Sequence, residues 1–200
     1  MNQNKKLKTK DYILIGIFSI LIYIVNAIVS LALTPLMVTS AMPLISWVCL
    51  FFSATVYLVM AMKIGKRGVL LLQGIVTGLI YTIMGVPLML AFFALAALLG
   101  EAVLYKGDGS QYRKLIKQAV AYAVYGAFFG LGSYVTVYVY GADYLKGMFS
   151  PDTLERTVYF AYSPVWIIGS IVFSFVVTIL GSLLAAKLLN KHFIKSGMIK

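Results

Sequence analysis

The first uncharged stretch of this chain constrains its fold more than any other feature. It runs from about residue 12 to residue 33, holds no acidic or basic side chain, and follows a run of lysines that ends at Lys10. About 20 apolar residues, at a rise of about 1.5 Å each, cross the hydrocarbon core of a bilayer. Because lysines are retained in the cytoplasm, this helix is predicted to run from inside to outside. It ends at Thr34, since the following Pro35 disfavours helical backbone there.

The composition of the whole chain agrees with insertion into a membrane. Of its 200 residues, 62% are hydrophobic and 12% are charged, whereas about a quarter of the residues in a soluble protein are charged. The length fits one integral membrane domain, residues 1–200. A cleaved signal peptide is not expected, because the first stretch is too long and lacks a small-residue cleavage site.

Further apolar stretches follow the first, and short polar segments separate them. The tight turn Gly85-Val86-Pro87 divides the third from the fourth, and the third is short and contains Gln73 and Thr77. Each stretch is predicted to be a transmembrane helix, so the expected fold class is all-α, a polytopic bundle of six transmembrane helices with both termini in the cytoplasm. The predicted spans cover residues 12–33, 42–62, 69–84, 88–105, 118–140 and 163–189.

Basic residues are distributed as this topology requires. Of the 17 lysines and arginines, all but Lys146 and Arg156 fall in the four segments that it places in the cytoplasm. Positive charge is retained on that side of a membrane. The net charge of +11 is therefore interpreted as an orientation signal and a contact with lipid, and no nucleic-acid partner is expected.

Small residues recur one helical turn apart in three of the predicted spans. Lipid supplies no hydrophobic drive between helices, so close backbone approach at small residues contributes much of the packing. These pairs predict a tightly packed bundle. They are Gly74 and Gly78, Gly126 and Gly130, and Gly181 and Ala185.

The sequence contains no recognisable catalytic or metal-binding pattern. Its single histidine, His192, lies in the basic tail, and its single cysteine, Cys49, lies in the second span. No zinc motif can be built from them, so neither a metal nor a cofactor is expected. A GxxxxGK[ST] phosphate loop is also absent from the sequence, so the chain does not hydrolyse ATP by that route.

Glu101 is the one carboxylate within a predicted span, near its inner end. An intramembrane acid can mark a functional site, but an acid at interface depth can also snorkel or pair with a neighbour such as Lys106. The second interpretation is favoured, because a single acid makes a poor proton relay. An enzyme is therefore not expected.

Aromatic and polar residues gather near the predicted outer ends of the spans. They form either an aromatic belt at the lipid headgroups or an outward-facing pocket with apolar walls and a few polar groups. Asn26 and Tyr138 lie deeper than a headgroup anchor requires, which favours the pocket for them. The connection 141–162 is long enough to act as a gating loop. The candidate substrate-binding residues are Asn26, Trp47, Tyr81, Tyr134, Tyr138 and Trp166.

A family resemblance rests on two segments. The tail, residues 187–199, has the sequence KLLNKHFIKSGMI, and residues 8–23 have the sequence KTKDYILIGIFSILIY. The chain resembles the Trep_Strep branch of the substrate-binding S components of energy-coupling factor transporters, and the size and the predicted spans agree along the whole length. The resemblance implies a multi-pass protein of the bacterial cell membrane that captures a micronutrient, often a vitamin, at its outer face. A transmembrane coupling protein and two cytoplasmic ATPases would supply the driving force.

The resemblance also implies a patch of small residues on the first helix, where the coupling protein docks. The nearest equivalents are Gly16 and Ser19, while Ile20 stands where a second small residue is expected. Three functions remain open: a capture subunit of an importer, a membrane enzyme, and an accessory membrane protein or pore with no transported substrate. The first is preferred, because the missing energy machinery, the outer aromatic residues and the resemblance agree.

Overall fold

The computed structural model describes residues 6–189, and over this part the chain is helical with no strand. The predicted all-α class is therefore confirmed for the described residues. The basic tail from residue 190 onward, with His192, lies outside them. In chain order the helices are α1 (Thr9–Ala32), α2 (Leu44–Ile64), α3 (Val69–Ile83), α4 (Leu88–Ala102), α5 (Leu115–Phe129), α6 (Gly132–Tyr140), α7 (Pro151–Ala161) and α8 (Pro164–Leu188).

Length and apolar composition single out α1, α2 and α8 as helices that can cross a membrane. The predicted fifth span, 118–140, is not one straight helix, because α5 and α6 meet at a bend of 41°. Together they make a fourth candidate span. The helices α3 and α4 are apolar but have only 15 residues each, which is about 22 Å against a hydrocarbon core of about 30 Å.

The predicted gating loop, 141–162, is largely folded. A short 3-10 turn, Ala142–Leu145, precedes the amphipathic helix α7. Pro151 occupies the first turn, and the Ser150 hydroxyl accepts a hydrogen bond from the backbone N–H of Thr153 at 3.3 Å, which is the usual chemistry of a helix start. The sequence pattern missed this helix because its polar residues resemble those of a loop.

Helix packing builds the core around α2, α3, α4 and α5. The helix α3 folds back on α4, α1 lies against α2 and α3, and α8 covers α2 and α5. In the centre the rings of Tyr57 and Tyr122 stack with centroids 4.1 Å apart. The Tyr57 hydroxyl donates to Oε1 of Gln118 at 2.8 Å, so the polar end of a fully buried side chain is satisfied.

The predicted small-residue contacts are confirmed. A Cβ atom added to Gly74 would lie 2.4 Å from the Cβ atom of Ala97, and one added to Gly78 would lie 2.6 Å from Cα of Leu90. Such distances leave no room for a side chain, so α3 and α4 touch backbone to backbone. The same close approach occurs at Gly126 against Thr178, Gly130 against Ser46, and Gly181 against Phe51.

Two acids, Asp11 and Glu101, bond to the turn between α2 and α3. The Asp11 carboxylate accepts a hydrogen bond from the Lys8 backbone N–H at 2.7 Å and pairs with Nζ of Lys66. Glu101 is buried, and its Oε1 accepts from the Gly68 backbone N–H at 2.6 Å. The expectation that Glu101 snorkels or pairs with Lys106 is therefore wrong, because the carboxylate is buried and bonds to the positive end of α3.

Replacing Gly74 with alanine tests the contact between α3 and α4. The added methyl group must push the two helices apart, so we expect Gly74→Ala to lower the free energy of unfolding by about 1–3 kcal/mol. The matched control is Gly169→Ala on α8, where an added Cβ meets nothing within 4 Å. The thermal unfolding midpoint in mild detergent measures both, and equal midpoints for the two variants would contradict the contact.

Candidate functional site

Two neighbouring chambers share part of their lining, and the polar one reaches along α3 as far as Gln73, about one turn from the start of that helix. The polar chamber, with a volume of about 180 Å³, is lined by α1, α3 and α5. The apolar chamber, with a volume of about 390 Å³, is lined mainly by α1, α2, α4 and α6, and by residues at both ends of the loop before α2. The two chambers share Asn26, Ser30, Tyr81, Met84 and Phe129.

Gln73 is the most constrained polar group of the polar chamber. Its side chain is 1% exposed, and its Nε2 donates to the hydroxyl of Thr77 at 3.0 Å. That hydroxyl in turn donates to the backbone carbonyl of Gln73 at 3.0 Å, so it can only accept from the amide. The orientation of the amide is thereby set, and its Oε1 has no partner among residues 6–189.

Two more unpartnered polar atoms line the same chamber. The Tyr125 hydroxyl, in a side chain that is 1% exposed, lies within hydrogen-bonding reach of the Gln73 and Thr77 side chains. Its geometry toward both is too poor for a hydrogen bond, and it has no other partner within the described part of the chain. Oδ1 of Asn26 is likewise buried without a partner there. An unsatisfied buried polar atom costs about 1–3 kcal/mol. The chamber therefore presents a set of groups ready to bond a small molecule.

The apolar chamber is lined by flexible and aromatic side chains. Phe93 lines it, with ring centroids 5.3 Å from Tyr81, 6.2 Å from Tyr125 and 5.7 Å from Phe129. These distances suit favourable aromatic contacts. Methionine, which adapts its shape to what it packs against, lines the chamber at Met37, Met42, Met84 and Met89.

The polar groups of both chambers are neutral. Within residues 6–189, no Asp, Glu, Lys, Arg or His lines either one. Asp11 and Lys66 pair with each other near the turn between α2 and α3, and Oε1 of Glu101 accepts a hydrogen bond at the start of α3. A molecule in the chambers would therefore meet amides, hydroxyls, thioethers and aromatic rings.

Three of the six predicted binding residues lie in the chambers. Asn26 and Tyr81 line both, and Tyr134 lines the apolar chamber. They come together because α1 and α3 end, and α6 begins, at the same end of the bundle. Whether they bind a substrate stays a prediction.

The two tryptophans line neither chamber. The ring of Trp47 stacks on Phe173 with centroids 5.0 Å apart, so it joins α2 to α8. Trp166 meets the ring of Phe160 edge-on, also at 5.0 Å, and joins α8 to α7. The placement of both around the pocket is corrected, because each ring packs between helices instead.

Tyr138 also lies outside the two chambers. Its side chain is 49% exposed, and its hydroxyl donates to the carbonyl oxygen of Ala161 at the end of α7. The ring further packs edge-on against Tyr162. Tyr138 was expected in the pocket because of its predicted depth in the span. In the structure it links α6 to α7 instead.

The predicted docking patch on α1 is divided between two faces. An added Cβ on Gly16 meets nothing within 4 Å, so this position borders open space. Ser19 is 1% exposed and faces the interior with Ile15 and Ile22. A partner protein cannot contact Ser19 without displacing α1, and only Gly16 remains accessible for such a role.

Sequence reasoning did not select the residues at the centre of the polar chamber. Gln73 and Thr77 were visible as polar residues one turn apart in an apolar span, and polar residues within a span are functional candidates by default. Tyr125 gave no such signal, since tyrosine is common at membrane interfaces.

Comparison with known proteins supports the membrane assignment. The family model described as a hypothetical bacterial integral membrane protein, Trep_Strep, matches residues 9–195. The chain belongs to this family. No curated protein and no solved structure matches it. This Trep_Strep protein is thus a membrane protein by family as well as by its apolar helices.

Two neighbouring tyrosines of the Trep_Strep protein test the unpartnered groups. Tyr125→Phe and Tyr122→Phe each remove one hydroxyl group from an equally buried ring. Of the two hydroxyls, only that of Tyr122 has a partner in the described part of the chain, Oγ of Ser53 at 3.1 Å. We expect Tyr122→Phe to lose about 1 kcal/mol of unfolding free energy, whereas Tyr125→Phe should gain about 1 kcal/mol, because it removes a buried hydroxyl that has no partner there. Thermal unfolding in detergent without added ligand measures both. Equal losses would mean that the Tyr125 hydroxyl is bonded after all.

Proposed function

We propose that this Trep_Strep protein is the substrate-capture subunit, or S component, of an ATP-driven energy-coupling factor importer for a small, vitamin-like micronutrient. The observation that carries the proposal is the pair of neighbouring chambers with buried, unpartnered amide and hydroxyl groups. Pockets of this kind, apolar with a few placed polar groups, are typical of small-molecule sites. The resemblance of residues 8–23 and 187–199 to S components supports the same function.

Partner proteins would supply the energy. The sequence has no nucleotide-binding loop of the GxxxxGK[ST] type, so transport would depend on a transmembrane coupling protein and two cytoplasmic ATPases. The accessible surface of α1 near Gly16 is the site at which we place the coupling protein, since a glycine there permits close helix approach.

The proposed topology places the chambers on the outer side of the cell membrane. All six predicted spans would cross, with α3 and α4 as a short pair and α5 with α6 as one bent span. The basic turn around Lys66 and the segment 103–114 would then lie in the cytoplasm. The chambers, which the loop before α2 helps to line, would open outward and admit the substrate from outside.

Residues 141–162 would act as the gate. Phe149 and Thr153, just before and within α7, line the apolar chamber. The Tyr144 hydroxyl donates to the carbonyl oxygen of Gly85, in the turn between α3 and α4. In this proposal the 3-10 turn and α7 move away together when the substrate enters, and the Tyr144 contact holds them closed.

Native mass spectrometry of the protein purified in mild detergent from its own cells tests the function. We expect a bound small molecule, together with a copurifying coupling protein and ATPases. In Asn26→Leu the small molecule should be lost while the partners remain, because Asn26 lies in the chamber walls and away from the predicted docking surface. A chain that carries lipid alone and has no partners would contradict the proposal and favour an accessory membrane protein.

Cysteine labelling tests the topology. Lys106 and Lys146 are both exposed, in segments at opposite ends of the bundle. We expect a membrane-impermeant maleimide to label Lys146→Cys in intact cells and Lys106→Cys only after permeabilisation. Both variants are made in a Cys49→Ser background, which removes the single native thiol from the wall of the apolar chamber and serves alone as the unlabelled control. Equal labelling of the two variants in intact cells would overturn the orientation.

A further inference from the structure

We infer that the chambers take an uncharged, amphipathic small molecule, whose head group donates hydrogen bonds to the amide oxygens of Gln73 and Asn26 and whose flat apolar body lies in the apolar chamber. This inference rests on the proposed function and adds the chemical class of the substrate to it. Three independent features of the chambers support it.

The first feature is the polarity of the unpartnered groups. Nε2 of Gln73 is occupied by its bond to Thr77. Oε1 of Gln73 and Oδ1 of Asn26 remain as buried acceptors without a partner among residues 6–189, and both residues line the same chamber. Carbonyl oxygens only accept hydrogen bonds. The head group must therefore donate, and the Tyr125 hydroxyl, which can donate or accept, suits a head that also carries an acceptor. A primary amide has both.

The second feature is the neutrality of the walls. A carboxylate head would face two amide oxygens and, among the described residues, no counter-charge in either chamber. Burying an ion without a partner is far more costly than burying a neutral polar group. An ammonium head would find acceptors, but no carboxylate would compensate its lost hydration. A neutral donor is the head group that fits best.

The third feature is the division of volume and lining. The polar chamber, about 180 Å³, is lined by Gln73 and Tyr125, and the apolar chamber, about 390 Å³, is lined by Met37, Met42 and Met89. Asn26 and Met84 line both. The aromatic rings of Tyr81 and Phe129 stand where the two chambers join. A flat ring placed there would contact aromatic faces, and an apolar extension would lie among the adaptable methionine side chains.

A matched set of single-ring probes tests the head group. Benzamide is a neutral donor, benzoate its anion, benzylamine a cation, and acetophenone a neutral ring with an acceptor but no N–H. We expect benzamide to bind the wild-type protein at least tenfold more tightly than the other three in calorimetric titrations, after subtraction of titrations into empty micelles. A further gain is expected for 4-butylbenzamide, whose tail reaches the apolar chamber.

Two glutamine variants test whether a preference for benzamide depends on Gln73. Gln73→Met keeps the length of the side chain but removes one of the two acceptors, so the preference for benzamide over acetophenone should fall severalfold. Gln118→Met is the matched control, since Gln118 is buried away from the chambers, with its amide bonded to Tyr57 and to the Tyr112 carbonyl oxygen. It should keep the wild-type preference. Gln73→Met that also kept this preference would overturn the assigned contact.

The outcomes separate this inference from the proposed function. Wild-type protein that binds benzoate or benzylamine as well as benzamide, or that binds none of the probes, overturns the substrate class regardless of how the variants fold. A charged natural ligand that copurifies with a coupling protein overturns the class but leaves the importer standing. Selectivity for benzamide in a chain that never copurifies with a coupling protein supports the class and overturns the importer.

Discussion

The backbone contact between α3 and α4 is the constraint on which the candidate site depends. Gly74 and Gly78 leave no space for a side chain against α4, so one face of α3 is committed to that helix. The adjacent stripe, Gln73, Thr77 and Tyr81, is then turned toward α1 and α5, where the polar chamber forms. In lipid, where apolar burial does not drive helices together, such contacts take over the role of the hydrophobic core. Gly74 and Gly78 thus fix the orientation of α3 and thereby the position of the Gln73 side chain.

The stripe of α1 that faces the interior shows why some site residues could be predicted and others could not. Ile15, Ser19, Ile22 and Asn26 recur at helical spacing and point inward, whereas Ile20 is 53% exposed. In a soluble protein this period would show in the sequence, because the outer face would be polar. Here both faces are apolar, and only Asn26 stands out. Because both faces of α1 are apolar, the sequence did not show that Ser19 is buried, and Ser19 was placed on a partner-binding surface.

Polar and small residues therefore carried most of what the sequence could predict. The glycine pairs predicted close contacts that the structure contains, and Asn26, selected for its depth in the first span, lines both chambers. Aromatic residues carried less information, since a ring at the membrane interface and a ring between two helices have the same sequence context. The sequence therefore could not show that Trp47 and Trp166 pack between helices. The bend between α5 and α6 had no local signal beyond Gly130 and Gly132.

The side-chain amide of Gln73 in the polar chamber has one bonded end and, among the described residues, one unpaired end. The bond from Gln73 to Thr77 satisfies half of a buried amide and orients the other half. The unsatisfied oxygen lowers stability by a cost of about 1–3 kcal/mol, which a donor in the chamber would recover on binding. A site that leaves its own acceptor unpaired discriminates strongly against molecules that lack the donor, because the cost then persists in the complex. In the proposed site, the fixed amide of Gln73 would thus make the hydrogen-bonding character of the head group a basis of selection.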